Sequence, residues 1–359
     1  MSTENKIGLE KRITMIKTNA EKQYIFETEN QPFRSCHAST VGVLPSGKVI
    51  AAWFGGTYEK AKDVAIWLAV RDGKQWSAPR KVADEDGIAH WNPVLDVGPD
   101  GVNLFYKVGH EIVDWHTRII RSKDGGETWS APVELVPGDI GGRGPVRNKP
   151  IRLEDGTLLA PSSIERRDPD HPGKEIWEAF VDISRDEGST WGKSAAVPMQ
   201  LETYVGAEKW IAKGLIQPTL WSTGGNLVHM LLRSTEGAIY RSDSSDGGVT
   251  WSMAYPTVLP NNNSGIDLVR LHSGLLALVY NPVQGYATET TRTPLVVSFS
   301  KDNGESWGDQ IVLEDNPGEY SYPAIVGKGH DLYITYTWKR ERVAFWHITV
   351  QEEVDGNVS

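Results

Sequence analysis

The chain holds a single cysteine, Cys36, in 359 residues, so no disulfide can form within it and stability must come from packing. No stretch approaches the length of an apolar membrane span, and the opening MSTENKIGLEKRITMIKTN has no apolar segment of signal-peptide length. The expectation is a cytoplasmic protein, which would limit an enzyme to small, imported substrates. Positive charge is scarce: 37 Lys and Arg against 47 Asp and Glu give a net charge of −10, with no Lys/Arg-rich run, so neither nucleic acid nor membrane is expected as a partner. An anionic ligand would have to be drawn in by a local cationic cluster working against the global field. The nine histidines show no ligand spacing such as HExxH, so neither a metal nor another cofactor is expected.

The chain is rich instead in tryptophan and glycine, arranged in a repeat. SKDGGETW (122–129), SRDEGSTW (184–191), SSDGGVTW (244–251) and SKDNGESW (300–307) share Ser-x-Asp-x-Gly-x-Thr/Ser-Trp, and RDGKQWS, containing Trp76, is a degraded copy. In each full copy the Asp can accept hydrogen bonds from its own turn, the Gly supplies a positive φ, and the Trp buries a large ring between strands. The boxes are read as structural staples; an EF-hand loop is excluded because they are too short and lack its closing Glu. The tryptophans recur every 53–62 residues, a period that suits a four-stranded antiparallel blade.

A second repeat sets the count. Alternating apolar runs begin at His37-Ala38-Ser39, Trp91-Asn92-Pro93, Asn148-Lys149-Pro150, Ile216-Gln217-Pro218, Ser264-Gly265-Ile266 and Ser321-Tyr322-Pro323. Most continue through a Gly-centred turn into another β-rich run, as hairpins do. Six starts predict an all-β fold, a six-bladed β-propeller, with the run QYIFETE (23–29) pairing with the last blade to close the ring. Residues 21–350 are expected to form one domain, with 1–20 an extension and 351–359 a tail. Loops at 56–63, 137–148, 165–175 and 281–293 are long enough to shape a pocket, and 200–215 allows a helical turn.

Asp-boxes at blade spacing resemble those of the sialidases and the wider BNR-repeat, sialidase-like proteins, over roughly residues 30–348. A sub-family of these shares the phrases CHAST, AWFGGT, DVAIWL, NKPIRLEDGTLLAPSS, NSGID and PGEYSYPA. The resemblance implies three arginines binding a sugar carboxylate, a Tyr nucleophile activated by a Glu, and an Asp acid. Its transfer is mixed. The first arginine's place, eight residues before the Pro of Leu44-Pro45-Ser46-Gly47, holds His37; the second matches Arg233 in LLRST; the third has Arg292 as candidate. The tyrosine falls on Tyr320 in Glu319-Tyr320-Ser321, the activating Glu is replaced by Gln217, and Glu59 or Asp63 stands for the acid. A Gln cannot act as a base.

His37 and Tyr320 are therefore expected as catalytic residues, His37 because an imidazole titrates near working pH. Cys36 beside it points to the other face of a strand, so a Cys–His dyad is not expected. Arg233, Arg292 and Lys149 would bind carboxylate, while Gln217, Asn92, Asp267, Tyr322, Glu59 and Asp63 would line the substrate pocket, with Asn263, Tyr280, Asn281 and Trp338 as further hydroxyl binders. Glu59, Glu165 or Glu319 would have to supply the base in a hydrolase of the sialidase kind. The leading expectation is an enzyme cleaving the linkage of a terminal acidic sugar, either a His-dependent lyase or a glycosidase acting on uronate-containing oligosaccharides such as rhamnosyl-glucuronates, which the resemblance also covers. An exo-α-sialidase and a non-catalytic glycan-binding propeller are the alternatives.

Overall fold

The computed structural model describes residues 13–200, 212–285 and 292–354. Apart from one 3-10 turn, Thr28–Asn30, the regular structure of the described residues is all β. Strand β1 (Ile13–Tyr24) pairs with the last strand of the chain. A first antiparallel group contains β2 (Ser35–Val43), β3 (Val49–Gly56) and β4 (Ala65–Asp72), edged by β5 (Gln75–Trp76) and β6 (Arg80–Ala83). A second contains β7 (His90–Gly98), β8 (Gly101–Val108), β9 (His116–Ser122) and β10 (Val133–Glu134). The third comprises β11 (Ile151–Arg152), β12 (Leu158–Arg167), β13 (Glu175–Ser184) and β14 (Gly192–Lys193). The fourth has β15 (Ala212–Gly224), β16 (Leu227–Ser234), β17 (Ala238–Ser244) and β18 (Tyr255–Pro260), joined to the third by a short parallel pairing of β13 with β15. The fifth runs β19 (Asp267–Arg270), β20 (Leu276–Tyr280), β21 (Leu295–Ser300) and β22 (Gly308–Glu314). The last has β23 (Tyr320–Lys328), β24 (Asp331–Trp338) and β25 (Arg342–Val354), with β1 on its outer edge.

Hydrophobic clusters lie between successive groups. Leu44, Ile50 and Phe54 of the first pack with Trp91, Leu95 and Leu104 of the second, and Ala324 and Phe345 of the last share a cluster with Val41, Trp53 and Trp67 of the first. Cys36 is buried in that shared cluster, and burial pushes its thiol far above the usual range, so it is inert. The closing strand differs from expectation in extent. Pairing runs from Ile13↔Val354 to Tyr24↔Ala344, so residues 13–20 and 351–354 belong to the sheet, while the chain leaves it after Tyr24. The helical turn foreseen at 200–215 falls mostly outside the described residues, and residues from Ala212 onward are strand.

The boxes form the staples read from their sequence. Ser122 Oγ donates to Asp124 Oδ1 at 2.7 Å and accepts from Gly126 N–H at 2.7 Å, while Asp124 accepts from Thr128 N–H and Oγ1 at 2.9 and 2.5 Å. Gly126 has φ 94°, and a Cβ there would press on Ile50 at 2.7 Å. The pattern recurs at Asp186, Asp246 and Asp302. Each box follows the third strand of its group.

The first strands carry a different repeat, a β-bulge near their beginnings. Register slips between His37 and Thr40, Trp91 and Val94, Ile216 and Thr219, and Ser321 and Ala324. Ala38, Asn92, Gln217 and Tyr322 occupy these bulges with φ of 54°, 41°, 51° and 53°. A bulge leaves one residue out of the ladder and re-aims its side chain, and a positive φ is strained for a non-glycine residue. Since strands alternate in direction, the bulges, the ends of the second strands and the starts of the third share one end of the molecule, with the Asp-boxes at the other.

Asp246 accepts from Thr250 Oγ1 and the N–H groups of Val249 and Thr250, and these bonds, with Thr250 Oγ1 the largest influence, hold its carboxyl down to about 2. A depressed carboxyl contributes stability above the unfolded value near 4 that disappears as pH falls through the folded one. Replacing Asp246 with Ala should cost about 1–2 kcal/mol at pH 7, with a smaller difference from wild type near pH 2, as read by thermal melts across that range. Equal melting temperatures at pH 7 would refute the staple role.

Candidate active site

At the bulge end, three arginines converge on one phenol ring, and a fourth joins them through the carboxylate of Glu319. Tyr322 has the guanidinium carbons of Arg147, Arg292 and Arg233 at 5.2, 5.7 and 5.9 Å from its ring centroid. Its hydroxyl accepts from Arg233 Nη1 at 3.3 Å. The fourth, Arg340, comes from the β24–β25 turn, where Lys339 and Arg340 both have positive φ, 52° and 56°. Two-residue turns with that sign usually take Asn and Gly, so the turn holds a strained backbone to present this side chain. It is pinned on both sides: Lys339 N–H donates to Glu319 O at 2.8 Å, and Cys36 N–H to Arg340 O at 2.9 Å.

Glu319 binds two of the arginines at once. Its Oε1 accepts from Arg292 Nη1 and Ser321 Oγ, each at 2.9 Å, and its Oε2 accepts from Arg340 Nε at 2.9 Å. Burial would raise its carboxyl, but Arg340 and Arg292 outweigh that and hold it below the usual range. Arg340 Nη1 also donates to Glu59 at 2.5 Å. Arg233 is fixed through Gln217 Oε1 at 3.0 Å and Asn263 Oδ1 at 2.8 Å, with its guanidinium carbon 5.6 Å from the Trp177 ring. Arg147 is almost wholly enclosed, bonded through Nη2 to the carbonyls of Tyr322 and Pro323, and burial brings it down to about 10.

The charges do not cancel among these groups. Of the four guanidiniums, Arg292 and Arg340 are paired with Glu319 and Glu59, while Arg147 and Arg233 bond only neutral groups, and Arg147 Nε and Nη1 and Arg292 Nε are buried without a partner among the described residues. Such an arrangement suits an anionic ligand, since Arg presents its donors in a fork matched to carboxylate. Around Tyr322, burial raises the phenol, yet Arg233 and Arg292 more than offset it, so its pKa falls below the ordinary value and the phenolate becomes accessible.

The expected residues divide. Arg233, Arg292, Gln217, Glu59, Asn263 and Tyr322 come together here. His37 joins them, with its ring centroid 4.3 Å from that of Tyr322, but its protonation differs from expectation: burial first, then Arg340, Arg292, Arg147 and Arg233, push its pKa well below the usual value. It is a neutral imidazole, with Nδ1 unpartnered.

Tyr320 does not face the arginines. Its ring packs in the cluster between the fifth and last groups, 6.4 Å from the Trp338 ring, and burial raises its pKa. Two residues apart on a regular strand, Tyr320 and Tyr322 would share a face; the bulge turns Tyr322 away. Lys149 is likewise engaged elsewhere, donating to both oxygens of Asp267 at 3.0 Å and to Leu268 O at 2.8 Å. Asp267 also accepts from Thr219 Oγ1 and Ile325 N–H, so the pair ties first strands together. Lys149 also lines a cavity of about 220 Å³ with Val41, Leu95, Val97 and Val326, from the later halves of those strands. Asp63 caps its own loop through Thr57 N–H and Oγ1. Asn92 sits at its bulge, whereas Asn281 bonds the carbonyls of Pro294 and Tyr320, Tyr280 is buried, and Trp338 packs on Tyr24. Residues 286–291 of the 281–293 loop lie outside the described residues.

Arg147 and Arg340 were missed in the sequence. Arg147 lies in a loop flagged as pocket-forming, but Arg340, in TWKRER, reads as a solvated hairpin tip; no local signal marks it.

The BNR repeat-like domain matches residues 47–334. The chain belongs to this family. Among solved structures it is similar to a protein of unknown function from Dyadobacter fermentans, with TM-score 0.72 and 16% identity over 94% of this chain and 99% of that one. It is also similar to the Hadza microbial sialidase Hz136, with TM-score 0.70 and 15% identity over 92% of this chain and 68% of the other. For Trypanosoma rangeli sialidase in complex with the inhibitor DANA the values are TM-score 0.69 and 12% identity over 92% of this chain, which spans 59% of that protein. No curated protein matches the chain. At these identities the likeness establishes a sialidase-like all-β fold for this BNR repeat-like protein. Among the described residues no group of three or more His, Cys, Asp or Glu is placed to hold a metal ion, and no helix is long and apolar enough to cross a membrane.

A buried imidazole held neutral contributes stability that is present above the unfolded value near 6.5 and is lost as pH falls through that value toward the folded one. The ring resonances of His37 should therefore show no protonation shift between pH 8 and 5 in histidine-labelled protein. A midpoint near 6.5 would overturn the assignment of a neutral ring.

Proposed function

We propose that the six strand groups are blades of a closed propeller and that the protein cleaves a glycosidic linkage of an acidic sugar at its bulge end. The cluster shared by the first and last groups supports closure, and the gathering of Arg233 and Arg292 around Tyr322, with Arg340 joined to Arg292 through Glu319, carries the functional reading. The arginines hold the sugar carboxylate; Tyr322, activated by them in place of a carboxylate base, is the reacting group. Its phenolate attacks the anomeric carbon as the leaving oxygen departs with a proton from an acid of the site, and water then adds to the anomeric carbon as the tyrosyl–sugar bond breaks, which regenerates the phenolate and returns a proton to that acid. Gln217 positions Arg233 instead of taking a proton. The T. rangeli and Hadza relatives are named as sialidases, so a terminal sialic acid is the first substrate class to test.

One observation favours a second reading. The His37 ring lies 4.3 Å from Tyr322 and is in the neutral state that a base requires. With a uronate carboxylate neutralised by the arginines, His37 would take the acidified C5 proton and the leaving oxygen would receive one from Tyr322, giving an unsaturated uronate. A panel of sialosides, rhamnosyl-glucuronates and simple uronides separates the two. Free sialic acid supports the first, ultraviolet absorbance of an unsaturated uronate supports the second, and silence on every member leaves a glycan-binding propeller. In either case Tyr322→Phe should lower kcat by roughly 10²–10⁴-fold while acidic-sugar binding persists, and Tyr320→Phe should leave kcat within a factor of a few. Full activity in Tyr322→Phe would overturn both readings.

A further inference from the structure

Breaking a glycosidic bond needs a proton for the leaving oxygen, and the described groups nearest Tyr322 are poor sources. His37 is neutral, Gln217 has no acidic proton, and both nearby carboxylates are engaged in ion pairs, Glu319 with Arg292 and Arg340 and Glu59 with Arg340. Among the described residues, a half-buried carboxyl at this end of the molecule has no bonded partner. Glu165 lies near the end of β12, two residues beyond Ser163 and so on the same face of that strand, and Ser163 Oγ accepts from the N–H of Gln217 at 3.2 Å. In register across β13 from Glu165 is Trp177, the ring against which Arg233 rests at 5.6 Å. Glu165 thus stands on the face of the third group that meets Gln217 and Arg233 of the fourth.

We propose that Glu165 is the general acid of this site, donating its proton to the leaving oxygen and recovering it from the attacking water. As the C–O bond breaks its electron pair goes to the leaving oxygen, which takes the proton; the carboxylate left behind is stabilised by Arg233. Water then adds to the anomeric carbon as the Tyr322–sugar bond breaks, and gives one proton back to Glu165. The charged neighbours are compatible with this cycle. Burial dominates, and with Glu175 on β13 opposing ionisation and Arg233 on β16 and Lys60 in the loop after β3 favouring it, the carboxyl is pushed up to about 7. Glu175 accepts from Trp177 Nε1 at 3.1 Å, Lys60 pairs with Glu111, and Arg166, next along β12, is held by Glu178, so none of these is bonded to Glu165. A half-buried acid that is protonated near neutrality and unpaired is matched to proton donation.

The assignment rests on the glycoside-cleaving function, and its test separates the two. The substrates are the acidic sugar carrying either an alkyl leaving group or an acidic nitrophenol, used with wild type and Glu165→Gln. Wild type should lose activity as pH rises through about 7 on the alkyl glycoside. Glu165→Gln should lose roughly 10²–10⁴-fold on that substrate and far less on the nitrophenyl one, should lack the limb near pH 7, and should bind product as wild type does. Equal losses on both substrates, or a retained limb, would overturn the role of Glu165 alone. No turnover of either substrate by wild type would overturn the function and the acid together.

Discussion

The site depends on the carboxylate of Glu319. Arg292 precedes β21 and Arg340 tips the β24–β25 turn, and two guanidiniums brought together in a half-enclosed space repel each other. Glu319 gives one oxygen to each, at 2.9 Å. With Arg340 further tied to Glu59, the first, fifth and last strand groups are tied into one network. Buried charges of this kind are costly unless paired, and the cluster remains short of negative charge even so. That shortfall is what a substrate carboxylate would fill, in a chain whose overall charge of −10 would otherwise repel it.

The backbone delivers the side chains that use this field. Bulges in four first strands place Gln217 and Tyr322 out of the ladder at positive φ, conformations that persist only when the surroundings over-determine them. The surroundings are the apolar clusters between groups and, at the opposite end, the Asp-box staples of the hairpins. Strain and rigidity are therefore segregated: hydrogen-bonded turns at one end, bent strands and unpaired donors at the other. The Lys149–Asp267 pair lies between, fastening first strands to one another with charges whose types alone suit a ligand.

Much of this was legible in the chain. The Ser-x-Asp-x-Gly pattern carries its own hydrogen bonds within seven residues, so its geometry follows from local chemistry. Arg233 and Arg292 were picked out by the resemblance to the sialidases, and the structure brings both to Tyr322. Tyr320 is not the tyrosine that meets the arginines, because alternation places it and Tyr322 on one face and only the slip between Ser321 and Ala324 separates them. His37 was recognised as a pocket residue, but its protonation depends on four arginines distant in sequence, which no reading of its neighbours supplies. Arg340 was invisible for the same reason: at a hairpin tip, its partners Glu319 and Glu59 are 21 and 281 residues away.

The sequence by itself determined the all-β repeat, the turn chemistry of the boxes, the absence of disulfides and the supply of arginines at the starts and ends of strands, since each is a matter of local pattern or composition. Tertiary structure decided which tyrosine meets the arginines, which cations are spent on internal ion pairs and which carboxyls remain unpaired. Those outcomes are set by bulges and by electrostatics across hundreds of residues, where the energy of one charge depends on every other charge brought near it.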